Sequence, residues 1–483
     1  MIRTNLTTLV AVLLAAGALG QARNARAAGL YFSDRGVRPL GRGGAFVAGA
    51  DDQGAIWYNP AGLVDAPSGL LVDASWLHYS SDFTRQALTT SAQGTTFVQS
   101  FPTVGGSTPV LPIPTIVGSY RWGERHQYAV AFGMYAPYTP VTSYPMQITN
   151  PDGSTSPAPQ RYSLFSLDGS LLTVIGAWFA YKPIEQLRIG GGVQMLTGTF
   201  KSTVDFSACP PDNLVCAAED PSYDSYSQLN VGPIFAPSGN LGVTWVPDKL
   251  VRVGVSGQLP FWVSAPATVD VRLPTAVEFD NASVQGHDAH VSFELPPILR
   301  AGVEVRPLDE RHDLRVEAAY VREFWSVHQS IAIAPKDILL YNVTGFPSPF
   351  AVSSFDIPRG GQDSNSFRLG GEYKFPVDQY WLQARAGIAY ETSGIQEAYV
   401  SPLTIDSDKV TASIGGSLYI GEHWRFDAVY AHVFASDVTV TPQEAAVPRV
   451  NPVKGNPTQT AAVNGGTYTA RADVLGVGLA YSF

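Results

Sequence analysis

The sequence predicts an all-β protein, a 14-stranded antiparallel transmembrane β-barrel with an N-terminal hatch (plug) inside its lumen. Three observations predict it. Period-two alternation of apolar and polar residues recurs along the chain. The gaps between alternating stretches are short and long by turns. The composition fits neither a water-soluble protein nor a helical membrane protein. Charged residues make up 15% and aromatics 11% of the 483 residues, where soluble proteins carry roughly 25% charge. Mean hydropathy is +0.03. The chain is too apolar and aromatic for disorder, yet past the N-terminus it offers no apolar run of about 18 residues for a membrane helix. A net charge of −10 argues against a nucleic-acid partner, which needs a basic patch.

Residues 1–27 read as a secretory signal. Arg3 gives a positive start, Leu6–Gly20 is apolar, and Ala25-Arg26-Ala27 supplies small residues before a cleavage that leaves Ala28 first. The apolar run is too short for a spanning anchor. Removing its three arginines takes the charge from −10 to −13. Export makes Cys209 and Cys216 a disulfide that ties down a loop. Two cysteines without a nearby His are a poor metal set.

Residues 28–68 follow, rich in Gly and Ala and without strand alternation. Residues 69–483 carry the fourteen strand signals: Gly69–Tyr79, Thr115–Trp122, His126–Ala136, Leu171–Lys182, Leu187–Phe206, Ala236–Val246, Val251–Ser264, Pro296–Arg306, His312–Phe324, Asn365–Phe375, Tyr380–Glu391, Lys409–Ile420, Trp424–Phe434 and Arg471–Phe483. Most have about the 9–11 residues that a tilted strand needs to cross a bilayer. After even-numbered strands the gaps are 3 to 5 residues, as in Gly123–Arg125 and Pro376–Gln379. After odd-numbered strands they run from 17 residues (Thr392–Asp408) to 40 (Trp325–Ser364). Short periplasmic turns and long extracellular loops sort this way in an outer-membrane barrel.

The faces agree with a lipid exterior. Val410, Ala412, Ile414, Leu418 and Ile420 oppose Thr411, Ser413 and Ser417, and Phe367, Leu369, Tyr373 and Phe375 oppose Arg368, Glu372 and Lys374. The apolar set faces lipid and the polar set lines the lumen. Trp122, Trp178, Trp245, Trp381 and Trp424 are expected in the interfacial girdles. A barrel of this size encloses more space than its own side chains fill, so the segment 28–68 is placed inside it as a hatch. The chain closes on an alternating strand through Leu475, Val477, Leu479, Tyr481 and Phe483. That pattern resembles the signature bacterial outer-membrane barrels present for assembly.

The hatch region contains Gly41-Arg42-Gly43-Gly44-Ala45, Ala50-Asp51-Asp52 and Asn59-Pro60-Ala61. With the start Ala28-Gly29 and later stretches such as Asn240-Leu241-Gly242-Val243 and Tyr430-Ala431-His432-Val433-Phe434, it resembles the long-chain fatty acid and hydrocarbon transporters of the FadL/TodX type. The resemblance covers the whole mature chain. It implies a monomeric bacterial outer-membrane barrel that takes up hydrophobic compounds by passive diffusion. Ligand is captured among the extracellular loops and released sideways into the membrane at a kinked third strand. Gly133 and Pro137 are the candidates for that kink. Lateral release keeps an acyl chain dry, since hydrating it costs about 0.8 kcal/mol per CH₂.

Asn59, Pro60, Ala61, Gly43, Gly44, Asp51 and Asp52 are therefore the candidate gating residues. A carboxylate ligand head needs a fixed cation. The lumen-facing candidates are Arg188, Arg252, Arg315, Arg368, Arg385 and Arg425; most are expected in wall or hatch ion pairs with acids such as Glu304, Glu317, Glu372 and Asp427. Expected partners are a hydrophobic ligand, outer-membrane lipid and lipopolysaccharide, and the barrel-assembly machinery. No cofactor or metal is called for: the His287-Asp288-His290 triplet is read as chance on an exposed loop. No Gly-x-Ser-x-Gly or His-Glu-x-x-His motif points to an enzyme. The alternative function is a general or specific polar-solute porin, which the charged lumen would suit and a plug would obstruct.

Overall fold

The computed structural model describes residues 34–91, 94–136, 141–150, 152–209, 216, 219–307, 313–458 and 460–483. The expected signal 1–27, the first hatch residues and Pro137 lie outside the described residues. Each alternating stretch is a strand. They are β1 (Gly69–Thr90), β2 (Pro112–Trp122), β3 (Tyr128–Tyr135), β4 (Leu171–Ile184), β5 (Leu187–Ser207) and β6 (Asp224–Trp245). Next come β7 (Val251–Gln258 and Phe261–Arg272), β8 (Asp288–Leu295 and Ile298–Val305) and β9 (Asp313–Glu323, resuming as Ser330–Pro335). The last five are β10 (Phe355–Pro358 and Ser364–Val377), β11 (Tyr380–Glu391), β12 (Lys409–Ile420), β13 (Trp424–Ala435) and β14 (Gly466–Ser482). Neighbours pair antiparallel in chain order. The wall closes where β1 meets β14, from Gly69↔Ser482 to Arg85↔Gly466.

The faces sort as the alternation requires. Phe132, Phe179, Leu241, Val255, Phe367, Ile414 and Leu475 stand exposed on the outside. Arg188, Arg252, Arg315, Glu317, Glu372 and Asp427 are buried on the inside. Trp178 departs from the girdle expectation. It points inward, is 2% exposed, and donates Nε1–H to Asn240 Oδ1 at 3.0 Å. Gly192 on the neighbouring strand leaves room for the indole, because a Cβ there would meet Trp178 Cδ1 at 2.1 Å.

The long-loop ends also depart from expectation. β1 runs on to Thr90, and β6 and β8 begin at Asp224 and Asp288, earlier than the alternation signals. Beyond the lipid band neither face needs to be apolar, so the alternation fades while backbone pairing continues. Tyr226–Val231 still pairs with Ala267–Arg272. β7 and β8 break at Pro260 and at Pro296-Pro297, where proline cannot donate to a ladder.

Inside the wall lies the segment from Asp34 to Ser68. It holds two single-turn helices, Val37–Leu40 and Ala55–Tyr58, and a 3₁₀ turn, Pro60–Val64. Its apolar residues Phe46, Ile56, Trp57, Tyr58 and Leu63 are buried in one cluster with lumen-facing wall residues such as Val117, Ala131, Leu196 and Val263. The barrel is plugged by its own N-terminal region.

Candidate functional site

Backbone freedom shapes the first plug contact. Gly43 and Gly44 take φ of +61° and +72°, which glycine adopts without the strain of a side chain. That turn lays the plug backbone on the wall, where a Cβ on Gly387 would sit 2.1 Å from the Arg42 carbonyl carbon. The Gly43 N–H donates to Ser413 Oγ at 3.0 Å. Further along, Asn59 is fully buried. Its Nδ2 donates to Val47 O at 2.9 Å, to Thr244 Oγ1 of β6 at 3.0 Å and to Val243 O at 3.3 Å. Its Oδ1 accepts from the Ala61 N–H at 3.2 Å and caps the turn that Pro60 begins. The Asn-Pro-Ala triplet thus joins two parts of the plug to one wall strand.

Charge does the rest. Arg42 is fully buried and faces three wall carboxylates, Glu304 at 2.9 Å, Glu317 at 3.3 Å and Glu372 at 3.4 Å. Arg38 meets Glu372 at 2.6 Å, Asp51 at 2.7 Å and Asp52 at 3.2 Å. Glu317 also accepts the backbone N–H groups of Val47, Ala48 and Gly49 at 2.6, 2.9 and 2.9 Å. A buried charge is tolerated when its partners are complete, and removing one partner from such a set costs about 3–5 kcal/mol.

All six lumen arginines singled out above have carboxylate partners inside the chain. Arg188 and Arg252 both reach Asp65 of the plug, at 3.1 and 2.6 Å. Arg315 reaches Asp51 at 2.7 Å, Glu372 at 2.9 Å and Glu304 at 3.0 Å. Arg368 meets Asp34. Arg385 bridges Glu372 at 3.1 Å and Asp427 at 3.2 Å, and Arg425 bridges Asp427 at 2.8 Å and Asp52 at 3.0 Å. Five of them touch the plug directly, and Arg385 reaches it through Glu372, which Arg38 shares.

Gly133 pairs with Val117 on β2 and Gly176 on β4, in an unbroken ladder. β3 ends two residues later, at Tyr135. Its neighbour β4 is 14 residues long, β3 only 8. The Tyr135 ring lies 5.2 Å from that of Trp57, edge to face, so the top of the shortest strand rests on the plug.

At the long-loop end, an apolar cavity is lined by Val204, Phe206, Val269, Phe279, Leu340 and Phe355. The disulfide Cys209–Cys216, with Cα atoms 6.1 Å apart, sits in the loop cluster beside it with Tyr223, Phe279 and Val343. Asn451 Nδ2 donates to the Cys209 carbonyl at 2.8 Å and so fastens another loop to it. A second apolar cavity is lined by Leu172, Phe200, Val291, Phe293, Ile331 and Leu403, together with His328 and Arg359. Val204, Phe206 and Phe355 from the first cavity, and Leu172, Val291 and Ile331 from the second, belong to one hydrophobic cluster, with Phe200 packed against it. Sequence reasoning missed both polar residues, which lie in the segment between the two expected strands on either side. His290 Nε2 shares a hydrogen bond with Ser264 Oγ at 2.7 Å.

Residues 18–483 match the sequence profile of the family described as outer membrane protein transport protein (OMPP1/FadL/TodX). Among solved structures, a Pseudomonas aeruginosa FadL homologue is similar with a TM-score of 0.67 at 15% identity, over 94% of this chain and 100% of that one. The Pseudomonas putida toluene transporter TodX gives 0.60 at 15% identity, over 93% and 99%. The Ralstonia pickettii toluene transporter TbuX gives 0.56 at 17% identity, over 93% and 99%. At these identities the structural likenesses speak for the fold alone.

Proposed function

The chain belongs to the OMPP1/FadL/TodX family of outer membrane transport proteins, and from that premise we propose that it is a plugged uptake channel for hydrophobic compounds, long-chain fatty acids or hydrocarbons. Cargo is captured among the extracellular loops, diffuses inward without an energy source, and leaves sideways into the membrane. The observation that carries this reading is the pairing of a plug held to the wall by buried ion pairs with apolar cavities at the mouth. The plug stands in the way of a polar solute, whereas an alkyl chain finds Val204, Phe206 and Phe355 on arrival. Burying each CH₂ there is favourable by about 0.8 kcal/mol.

Sideways exit is supported by the short β3. Its ladder with β2 and β4 stops at Tyr135, and the plug residue Trp57 packs against that end. Asn59, Pro60, Ala61, Gly43, Gly44, Asp51 and Asp52 act as the latch that fixes the plug, and the six lumen arginines act as its docking posts.

The test is reconstitution of the purified barrel. In planar bilayers the wild-type protein is expected to give no large steady conductance, while liposomes containing it take up dodecane or dodecanoate faster than protein-free liposomes. A large, steady ohmic conductance, or uptake no faster than in protein-free liposomes, refutes the reading and favours a porin.

A further inference from the structure

Among the described residues, one stretch of wall between β6 and β7 has no ladder pair. The ladder runs up from Trp245↔Val253 to Asn240↔Gln258, stops, and resumes at Val231↔Ala267. The gap holds Gly232 to Gly239 of β6 and Leu259 to Pro266 of β7. β3, by contrast, keeps both neighbours in continuous register from Tyr128 to Tyr135.

Both strands change phase in the gap. Val231 and Ile234 are both buried, as are Gln258 and Phe261, although residues three apart on a strand belong to opposite faces. Each strand therefore carries an extra residue, and the two slips flank the gap. Proline explains missing donors. Gly239 O accepts the Leu259 N–H at 2.9 Å, so Pro237, two positions away, turns the same edge to β7 and has no N–H to give. The Val269 N–H goes to His287 O on the β8 side at 2.8 Å, so Pro266, three positions away, turns its edge to β6 with the same lack. Pro233 and Pro260 stand at the two slips.

Trp245 is exposed at the short-turn end, and a strand needs about 9–11 residues to cross a bilayer, so the gap begins at membrane depth. Its cover is apolar on both sides. Phe235, Leu259 and Trp262 are exposed on the outer face. Ile234, Ala236, Phe261 and Val263 are buried on the inner face, in one cluster with Ile56 and Trp57 of the plug. The plug is also tied to the lower edge of the gap. Asn240 Nδ2 donates to Ile56 O at 2.7 Å, and Ser256 Oγ donates to Tyr58 O at 2.5 Å.

We infer that this gap is a second doorway from the lumen to the membrane, distinct from the end of β3, at which β6 and β7 part when the plug segment Ile56–Tyr58 withdraws. Parting two laddered strands would leave paired N–H and C=O groups bare in hydrocarbon; here no ladder pair has to break. The packed side chains are the closed state. What passes when they part is apolar, since none of the residues named on either face carries a charge. The inference rests on the sideways-exit reading for its use, while the parting of the strands is measurable by itself.

The experiment bridges the gap. Phe235→Cys with Trp262→Cys is reacted with bismaleimidoethane in the full-length barrel, and the same variant capped with N-ethylmaleimide is the reference. The native cysteines are held in their disulfide and do not react. Folding is checked by the heat-dependent shift in gel mobility. Bridging is expected to lower dodecane uptake into liposomes relative to the capped protein. The same bridge between Ile175→Cys and Met195→Cys, which face each other in the intact β4–β5 ladder, is expected to leave uptake unchanged. Equal losses for both pairs, or none for the first, overturn the proposal. A second measurement needs no transport: nitroxides at positions 235 and 262 are expected to move apart, read as lost dipolar broadening, when Asn240→Ala releases Ile56. Unchanged broadening overturns the proposal. Separation of the labels in a protein whose uptake is no faster than in protein-free liposomes would instead sink the channel reading and leave the doorway intact.

Discussion

The Asn59 amide donates to the Thr244 hydroxyl at 3.0 Å and joins the Asn-Pro-Ala turn of the plug to β6. The same amide holds Val47, so one side chain connects the wall, the turn and the stretch of plug that Glu317 grips. Asn59→Ala leaves Thr244 and the Val47 carbonyl without this donor, at a cost of about 1–3 kcal/mol in plug docking. Barrel hydrogen bonds are untouched. Uptake is expected to fall while the amount of heat-modifiable barrel in the membrane stays constant. Wild-type uptake by this variant would remove Asn59 from any gating role.

Glu372 is the hub of the ion network, with Arg38, Arg42, Arg315 and Arg385 around one carboxylate. Glu372→Ala leaves these cations facing each other, a penalty of about 3–5 kcal/mol that the plug can relieve only by moving. Planar-bilayer recordings are expected to show bursts of conductance absent from wild type. Gly387→Val should do the same by a different cause, since its Cβ would overlap the Arg42 backbone. If both variants stay as silent as wild type, the plug is not held by these contacts.

Closing the loop between Cys209 and Cys216, seven positions apart in sequence, restricts the unfolded loop by about 2–3 kcal/mol. The expected consequence of Cys209→Ser with Cys216→Ser is local. Limited proteolysis should nick the segment between β5 and β6 sooner, with the barrel core surviving. Nicking at the wild-type rate would mean that Asn451 and the surrounding apolar contacts fix the loop by themselves.

His328 makes the mouth sensitive to acid. Its folded pKa of about 3 lies below the unfolded value of about 6.5. Between these values the unfolded chain binds the proton and the folded one does not, so stability rises with pH through that window and is flat above it. Acidifying from pH 7 to pH 4 should cost a few kcal/mol of stability, read as a lower urea midpoint. His328→Gln should flatten that dependence; an unchanged slope assigns it to other groups.

The barrel was legible because its physics is written at period two. Ile414 and Ser413 sit next to each other in sequence and on opposite sides of the wall, and the short turns after even strands impose their order. The lumen arginines were legible as inward-facing for the same reason. Their partners were not, because Arg315 meets Asp51 from 264 positions away, and nothing local encodes a register between plug and wall. Trp178 was misread because an aromatic near a strand end fits a girdle equally well; only Gly192 on the next strand reveals the inward space. Arg359 was invisible for a deeper reason. It lies outside the alternating stretches, and its burial depends on side chains from β4, β5, β8 and β9 converging on it.

The pairing of β1 with β14 sets one wall contact apart from the rest. Every other wall contact between consecutive strands is bridged by the chain connecting them, but Gly69 and Ser482 meet without such a connection. The plug runs directly into β1, and Ser68 accepts the Phe483 N–H at 3.0 Å. This seam is where the ring is completed, and the lumen behind it is filled by groups such as Arg42 and Asn59 that no water reaches. The plug's exit and the chain's last residue therefore share one joint, so the two ends of the chain close the ring at the same place.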